Sequence, residues 1–146
     1  MTDQNLDKIR RQMSETDKKI IRLLEHRAEL AREVGKIKET SGVEVYDPAR
    51  EATMMSDFEK NVMNDILPAG YLKAIYREII SACRELQKPV AVACLGPAAS
   101  FTHLAAKSHF GGSTTFIFQL TISQVFDELE RGRVNLGVVP VENTFE

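Results

Sequence analysis

The sequence predicts an all-α unit of three helices over residues 1–88, built to pair with a second copy, followed by a partial α/β lobe of βαβαβ order over residues 89–146. Three observations lead there. Helical periodicity runs from Asn5 to Thr40 without a Pro or a mid-run breaker. Two further helical runs follow, introduced by Pro48 and Pro68. After Pro89 the period changes, and short apolar runs alternate with amphipathic ones.

The first helix carries one ladder that climbs in alternating steps of three and four: Arg10, Met13, Asp17, Ile20, Leu24, Arg27, Ala31, Val34, Lys38. Cations on a stripe that should face a core call for an anionic partner, because an unpaired buried Arg or Lys costs several kcal/mol. Arg27 and Lys38 stand roughly 16 Å apart along the axis and about 20° apart around it, so both can converge on one small ligand. Arg10 lies about 25 Å from Arg27 and is turned about 100° away, so it serves another site or another chain. The same rungs are also satisfied by cations that snorkel to solvent, with Asp17 pairing to a neighbour.

Length points to a partner as well. A helix of about 35 residues is about 50 Å long, whereas a domain of about 100 residues has a radius of gyration near 13 Å. The most economical packing is an antiparallel two-fold dimer in which each long helix spans both halves and Arg10 of one chain enters the pocket of the other.

The 146 residues are 43% hydrophobic and 27% charged with a formal net charge of -2, enough apolar material for one core or two. Positive and negative residues interleave along the first helix, which gives no single-sign face for nucleic acid or an anionic membrane. No apolar run approaches the roughly 20 residues of a membrane span, and the start MTDQNLDKIRR is the reverse of a signal peptide, so a cytoplasmic protein is expected. Cys83 and Cys94 form no disulfide framework, and His26, His103 and His109 form no ligand cluster. Neither a metal site nor a nucleotide loop is expected.

In chain order, Thr40-Ser41-Gly42 stops the first helix, with Gly suited to the left-handed C-terminal position. Asp47 reads as an N-cap and Pro48 as the first position of a second helix running to about Asn64. Arg50 and Glu51 then fall in its first turn, beside free backbone N–H groups; an ordinary helix start would look the same. The third helix runs from about Pro68 to Gln87, with Leu72, Tyr76, Ile79, Cys83, Leu86 and Gln87 as its expected buried stripe. A buried Gln87 needs partners for its amide, in a ligand or in the neighbouring backbone.

Beyond Pro89, Val90 to Leu95 reads as a strand, Phe101 to Phe110 as a helix broken by Gly111-Gly112, and Thr114 to Phe118 as a second strand. Ile122 to Arg131 reads as a helix and Asn135 to Val141 as a third strand. Such a sheet is normally covered on both faces and continued by more strands, so residues 89–146 are expected to be an incomplete lobe.

The run ELAREVGKIK, the segment Asp47-Pro48-Ala49-Arg50-Glu51 and the helix end Ile79-Ile80-Ser81-Ala82-Cys83 resemble the all-helical class of chorismate mutase. Leu95-Gly96-Pro97 with Ser100-Phe101-Thr102, and Gly137-Val138-Val139-Pro140-Val141-Glu142-Asn143, resemble the beginning of a prephenate dehydratase domain. The order resembles that of the bifunctional chorismate mutase/prephenate dehydratase family of phenylalanine biosynthesis. That resemblance implies a homodimer whose long first helices cross between subunits, and the cofactor-free Claisen rearrangement of chorismate to prephenate. It implies that Arg27 and the partner chain's Arg10 hold the two carboxylates, that Lys38 and Gln87 point at the ether oxygen, and that Glu51 accepts from the ring hydroxyl. Asp47 would offer its backbone, Arg50 would add positive field, and Cys83 would stand where relatives place a Ser hydroxyl. Ala99 replaces a Gly of the dehydratase pattern, so a positive φ there would carry strain. The family's later Thr-Arg-Phe motif, second lobe and regulatory domain are not in this sequence, and dehydratase activity is expected to be absent.

Two other functions fit the same residues. An isochorismate-pyruvate lyase uses a similar helical dimer and similar cations, and a non-catalytic helical dimerisation module would turn the charged rungs into interchain ion pairs.

Overall fold

The computed structural model describes residues 2–61 and 66–141. The helix α1 spans Thr2–Ser41, α2 spans Pro48–Asn61 and α3 spans Ala69–Gln87. An α/β unit follows: β1 (Ala91–Leu95), α4 (Phe101–Phe110), β2 (Thr115–Gln119), α5 (Ile122–Glu130) and β3 (Leu136–Val138). This is the predicted all-α region followed by a partial α/β lobe. The Asn64 end expected for α2 and the motif residues Glu142 and Asn143 lie outside the described residues.

Helix α1 is 40 residues long, hence about 60 Å. It stops where Gly42 takes φ 68°, the left-handed conformation that the sequence Thr-Ser-Gly predicts. Among the described residues its burial is confined to the C-terminal half: Ala31 and Gly35 are buried and α1 packs against α3, while Leu6, Ile9, Met13, Ile20 and Leu24 remain exposed. The ladder is therefore half covered in a single chain.

Gly35 makes the α1–α3 contact close. A Cβ at that position would stand 2.8 Å from Gln87 Cα and 2.9 Å from Gln87 O, so only a residue without a side chain lets the end of α3 lie against α1. Helix α2 starts as predicted, with Asp47 Oδ1 accepting from Arg50 N at 2.9 Å. On α3 the structure corrects the expected stripe. Leu86 is exposed, whereas Ile80, Ser81, Cys83 and Arg84 are buried. The helix is covered on more than one side, by α1, by α2 and by α4, so its buried arc is wider than a single stripe and is centred one residue away.

The described sheet is parallel with order β2-β1-β3, and Cys94 lies opposite Phe118 on one side and Val138 on the other. Period-two alternation along β1 divides its side chains between two layers. Val92 and Cys94 join Val90, Ala106 and Phe110 under α4, and Ala93 joins Val125 and Val134 under α5. Ala99 does adopt a positive φ, 66°, and its N–H donates to His103 Nδ1 at 2.9 Å, which helps hold the strained turn.

The helical unit and the lobe are joined by polar contacts at the turn after α4. Gly112 N donates to Glu78 Oε2 at 2.8 Å, and Ser113 N donates to Ser81 Oγ at 3.2 Å. Gly111 has φ 85°, and a Cβ on it would stand 2.4 Å from Ser81 Cβ. A side chain there would force the two units apart. Among the described residues no helix is long and apolar enough to cross a membrane.

Candidate active site

The C-terminal half of α1, the start of α2 and the end of α3 enclose a cavity of about 270 Å³. Helix α1 supplies Arg27, Ala31, Val34 and Lys38; the α1–α2 connection and α2 supply Asp47, Arg50 and Glu51; and α3 supplies Cys83, Arg84 and Gln87. Seven of the eight site residues proposed from sequence thus line one cavity. Arg10 does not. Its Nη1 lies 3.5 Å from Asp7 Oδ1, and its side chain is 66% exposed on the uncovered part of α1.

Charge makes the cavity selective. Four cations (Arg27, Lys38, Arg50 and Arg84) and two carboxylates (Asp47 and Glu51) line it, an excess of two positive charges that suits a small dianion. Lys38 Nζ donates to Glu44 O at 2.9 Å and to Val45 O at 3.0 Å. An ammonium has three donors, so one N–H remains for a ligand while the other two fix the connection that leads into Asp47.

Gln87 stands between its two expected states. Its Nε2 lies 3.5 Å from Cys83 O, at the outer limit of a hydrogen bond, and its Oε1 is buried without a partner among the described residues. A weakly held amide with an unmet acceptor is poised to exchange its backbone contact for a ligand. Cys83 is buried and not in a disulfide. As a thiol it is a weak donor, so what it offers the cavity wall is mainly shape.

Two residues of the site escaped the sequence. Gly35 carries no polar group, yet it allows Gln87 to approach Lys38's helix. Arg84 is buried to 3% exposure and donates through Nη1 to Glu51 Oε1 at 2.7 Å. The local sign was faint: an Arg three residues before Gln87, on the same helix face.

A second cavity, about 490 Å³, lies between α2, α3 and α4, with Tyr46, Arg77, His109 and Phe110 in its walls. Burial pushes the Tyr46 phenol above its ordinary range, and the charge of Glu51 adds to that while Arg84 opposes it. Its hydroxyl lies 2.9 Å from His109 Nε2. This cavity has fewer charged groups in its walls than the first, and Glu51 lines both.

Residues 9–88 match the model of the family described as chorismate mutase type II. The chain belongs to that family. Residues 92–146 match the model described as prephenate dehydratase. Over 98% of its length the chain is 42% identical to the bifunctional chorismate mutase/prephenate dehydratase of Aquifex aeolicus, covering 40% of that protein. It is 36% identical to the protein of the same description from Pseudomonas aeruginosa, over 100% of this chain and 41% of the relative. With the corresponding Escherichia coli protein the figures are 30% identity, 99% and 42%. The chain therefore spans about two fifths of the length of the curated relatives it matches.

Proposed function

We propose that residues 1–88 form a chorismate mutase domain that converts chorismate to prephenate as a homodimer, and that residues 89–146 form the first part of a prephenate dehydratase-like domain. The observation that carries this reading is the convergence of Arg27, Lys38, Asp47, Arg50, Glu51, Cys83 and Gln87 on one cavity with an excess of two positive charges. Family membership and the names of the relatives point to the same reaction. Phenylalanine biosynthesis is the corresponding setting, and a cytoplasmic location suits two buried free cysteines.

The chemistry explains why such a site needs no nucleophile and no cofactor. In the rearrangement a C–O ether bond breaks as a C–C bond forms, within one molecule. The protein must hold the substrate in its reactive geometry and stabilise negative charge growing on the ether oxygen. Arg27 and the partner's Arg10 take the two carboxylates, where a guanidinium fork can bind both oxygens. The remaining Lys38 N–H and the Gln87 amide donate to the ether oxygen. Glu51 accepts from the ring hydroxyl, Asp47 presents the first turn of α2, and Arg50 adds positive field.

A dimer is supported by the uncovered apolar side of α1. Leu6, Ile9, Met13, Ile20 and Leu24 are exposed in one chain although they recur at helical spacing. A second α1 laid antiparallel covers them and carries its Arg10 toward the cavity of the first chain.

Incubating the purified chain with chorismate and identifying the product tests the assignment. Prephenate is expected, together with a rise in melting temperature on adding chorismate, since a ligand of the folded state stabilises it. In a parallel incubation with isochorismate, salicylate and pyruvate would instead identify a lyase. A chain that neither converts chorismate nor is stabilised by it would be a dimerisation module.

Gln87 gives the site a pH signature. A neutral amide donates at any pH, whereas Glu at this position must first be protonated, and carboxyl groups ionise near pH 4.3 unless their surroundings raise that value. Protonation is favoured below the pKa and lost as pH rises through it. Gln87→Glu is therefore expected to lose activity at neutral pH and recover it in acid, against a wild-type profile that extends through neutrality. An unchanged pH–kcat profile would remove Gln87 from the ether oxygen.

A further inference from the structure

We propose that Arg84 is a positioning residue through which the α/β lobe sets the orientation of Glu51, so that the mutase site depends on residues that never touch its substrate. This inference rests on the mutase reading for its kinetic consequences and on geometry for its existence.

Arg84 reaches in two directions. Toward the cavity, Nη1 donates to Glu51 Oε1 at 2.7 Å. Toward the lobe, Nη2 donates to the carbonyl of Phe110 and, at 3.2 Å, to Thr114 Oγ1. The Thr114 hydroxyl in turn donates to the Phe110 carbonyl at 3.3 Å, which ties both acceptors together at the end of α4 and the start of β2. The guanidinium also lies 5.4 Å from the ring centroid of Tyr46 and 5.7 Å from that of Phe110. Planar, delocalised charge suits such stacking, and a Lys could not bridge the same groups.

A buried cation needs an anion, and Glu51 is the carboxylate that Arg84 meets. The bond matters because Glu51 has two destinations. Its side chain, 25% exposed, lines both the 270 Å³ cavity and the 490 Å³ cavity, and the second contains Arg77. A carboxylate on that dividing wall can turn toward either side. Arg84, itself fixed by Phe110 and Thr114, holds Oε1 and leaves Oε2 for a hydroxyl in the mutase cavity. Position 84 thus converts the docking of α4 against α3 into a defined acceptor at the ligand.

The test uses the whole chain with Thr114→Val, Glu51→Gln and the double variant. Thr114 does not line the mutase cavity, and the change keeps the size of the side chain. A ring hydroxyl is present in substrate and transition state alike, so loss of its acceptor acts on binding. Thr114→Val is expected to raise KM for chorismate about fivefold, the effect of loosening one hydrogen bond, with kcat within about twofold. In the Glu51→Gln background the same change is expected to leave KM unaltered. A merely structural role would act equally in both backgrounds, and that result, or no effect in either, overturns the proposal.

Urea unfolding of the same four proteins separates this from the mutase reading. Coupled shifts of the midpoint for Glu51 and Thr114, which both hydrogen-bond Arg84, are expected. Additive shifts overturn the bridge whether or not chorismate is turned over. A wild-type chain that forms no prephenate would remove the mutase reading and leave the unfolding cycle to decide the bridge.

Discussion

Replacing Lys38 with Ala is expected to lower kcat for prephenate formation by about 100- to 1000-fold, the usual cost of removing a preorganised donor from developing negative charge. The magnitude decides the interpretation, because Lys38 also fixes the α1–α2 connection through Glu44 O and Val45 O. Hydrogen bonds from a charged donor contribute up to about 1.5–3 kcal/mol each to folding, less for the exposed one to Glu44 O than for the part-buried one to Val45 O. That loss lowers the folded fraction and not the kcat of the molecules that remain folded. The barrier effect corresponds to about 3–4 kcal/mol. Circular dichroism and urea unfolding of Lys38→Ala should therefore show a folded protein at temperatures where its activity is nearly gone. Activity within a few-fold of wild type would place the ether oxygen elsewhere. A variant that loses activity only in proportion to its unfolding would make Lys38 a loop anchor and nothing more.

The parts of this site that could be read from sequence are those set by local periodicity. Arg27 and Lys38 lie on one ladder of one helix, and helical geometry alone places them on a common wall. Asp47, Arg50 and Glu51 were equally local, because an Asp-Pro pair fixes where α2 begins and which residues fill its first turn. The lobe's alternation of elements was legible for the same reason, with boundaries displaced by about one residue at β1 and β2.

Arg84 was not legible because its burial is decided far along the chain. An Arg on a helix reaches solvent by default, and this one is buried among Tyr46 and Glu51, far earlier in the chain, and Phe110 and Thr114, 26 and 30 residues later. Leu86 failed in the opposite sense. A single-stripe reading turned it inward, but α3 is packed on more than one side and its buried arc follows Ile80, Cys83 and Arg84 instead. Gly35 gave no signal at all, since a close approach of helices leaves no chemical mark beyond a missing side chain. Each of these misses concerns contacts between elements, which periodicity within one element does not encode.

Arg10 is where sequence and single-chain structure agree most usefully. Helical geometry keeps it from the Arg27 cavity of its own chain, and in the structure it pairs with Asp7 on the exposed part of α1. If α1 pairs antiparallel with a second copy, each cavity combines Arg27 of one chain with Arg10 of the other. Arg10→Ala homodimers then lack one carboxylate partner in both sites, and Arg27→Ala homodimers lack the other. Truncating either partner of a desolvated charge pair typically costs 2–5 kcal/mol, so each variant alone should be nearly inactive.

The decisive measurement is the chorismate mutase activity of Arg10→Ala and Arg27→Ala chains unfolded together, refolded as a mixture and compared with each refolded alone. A mixed dimer has one site lacking both arginines and one with both intact. With random pairing half the dimers are mixed, so the mixture should recover about a quarter of wild-type specific activity in forming prephenate. A mixture no more active than its components would contradict a site shared between two chains.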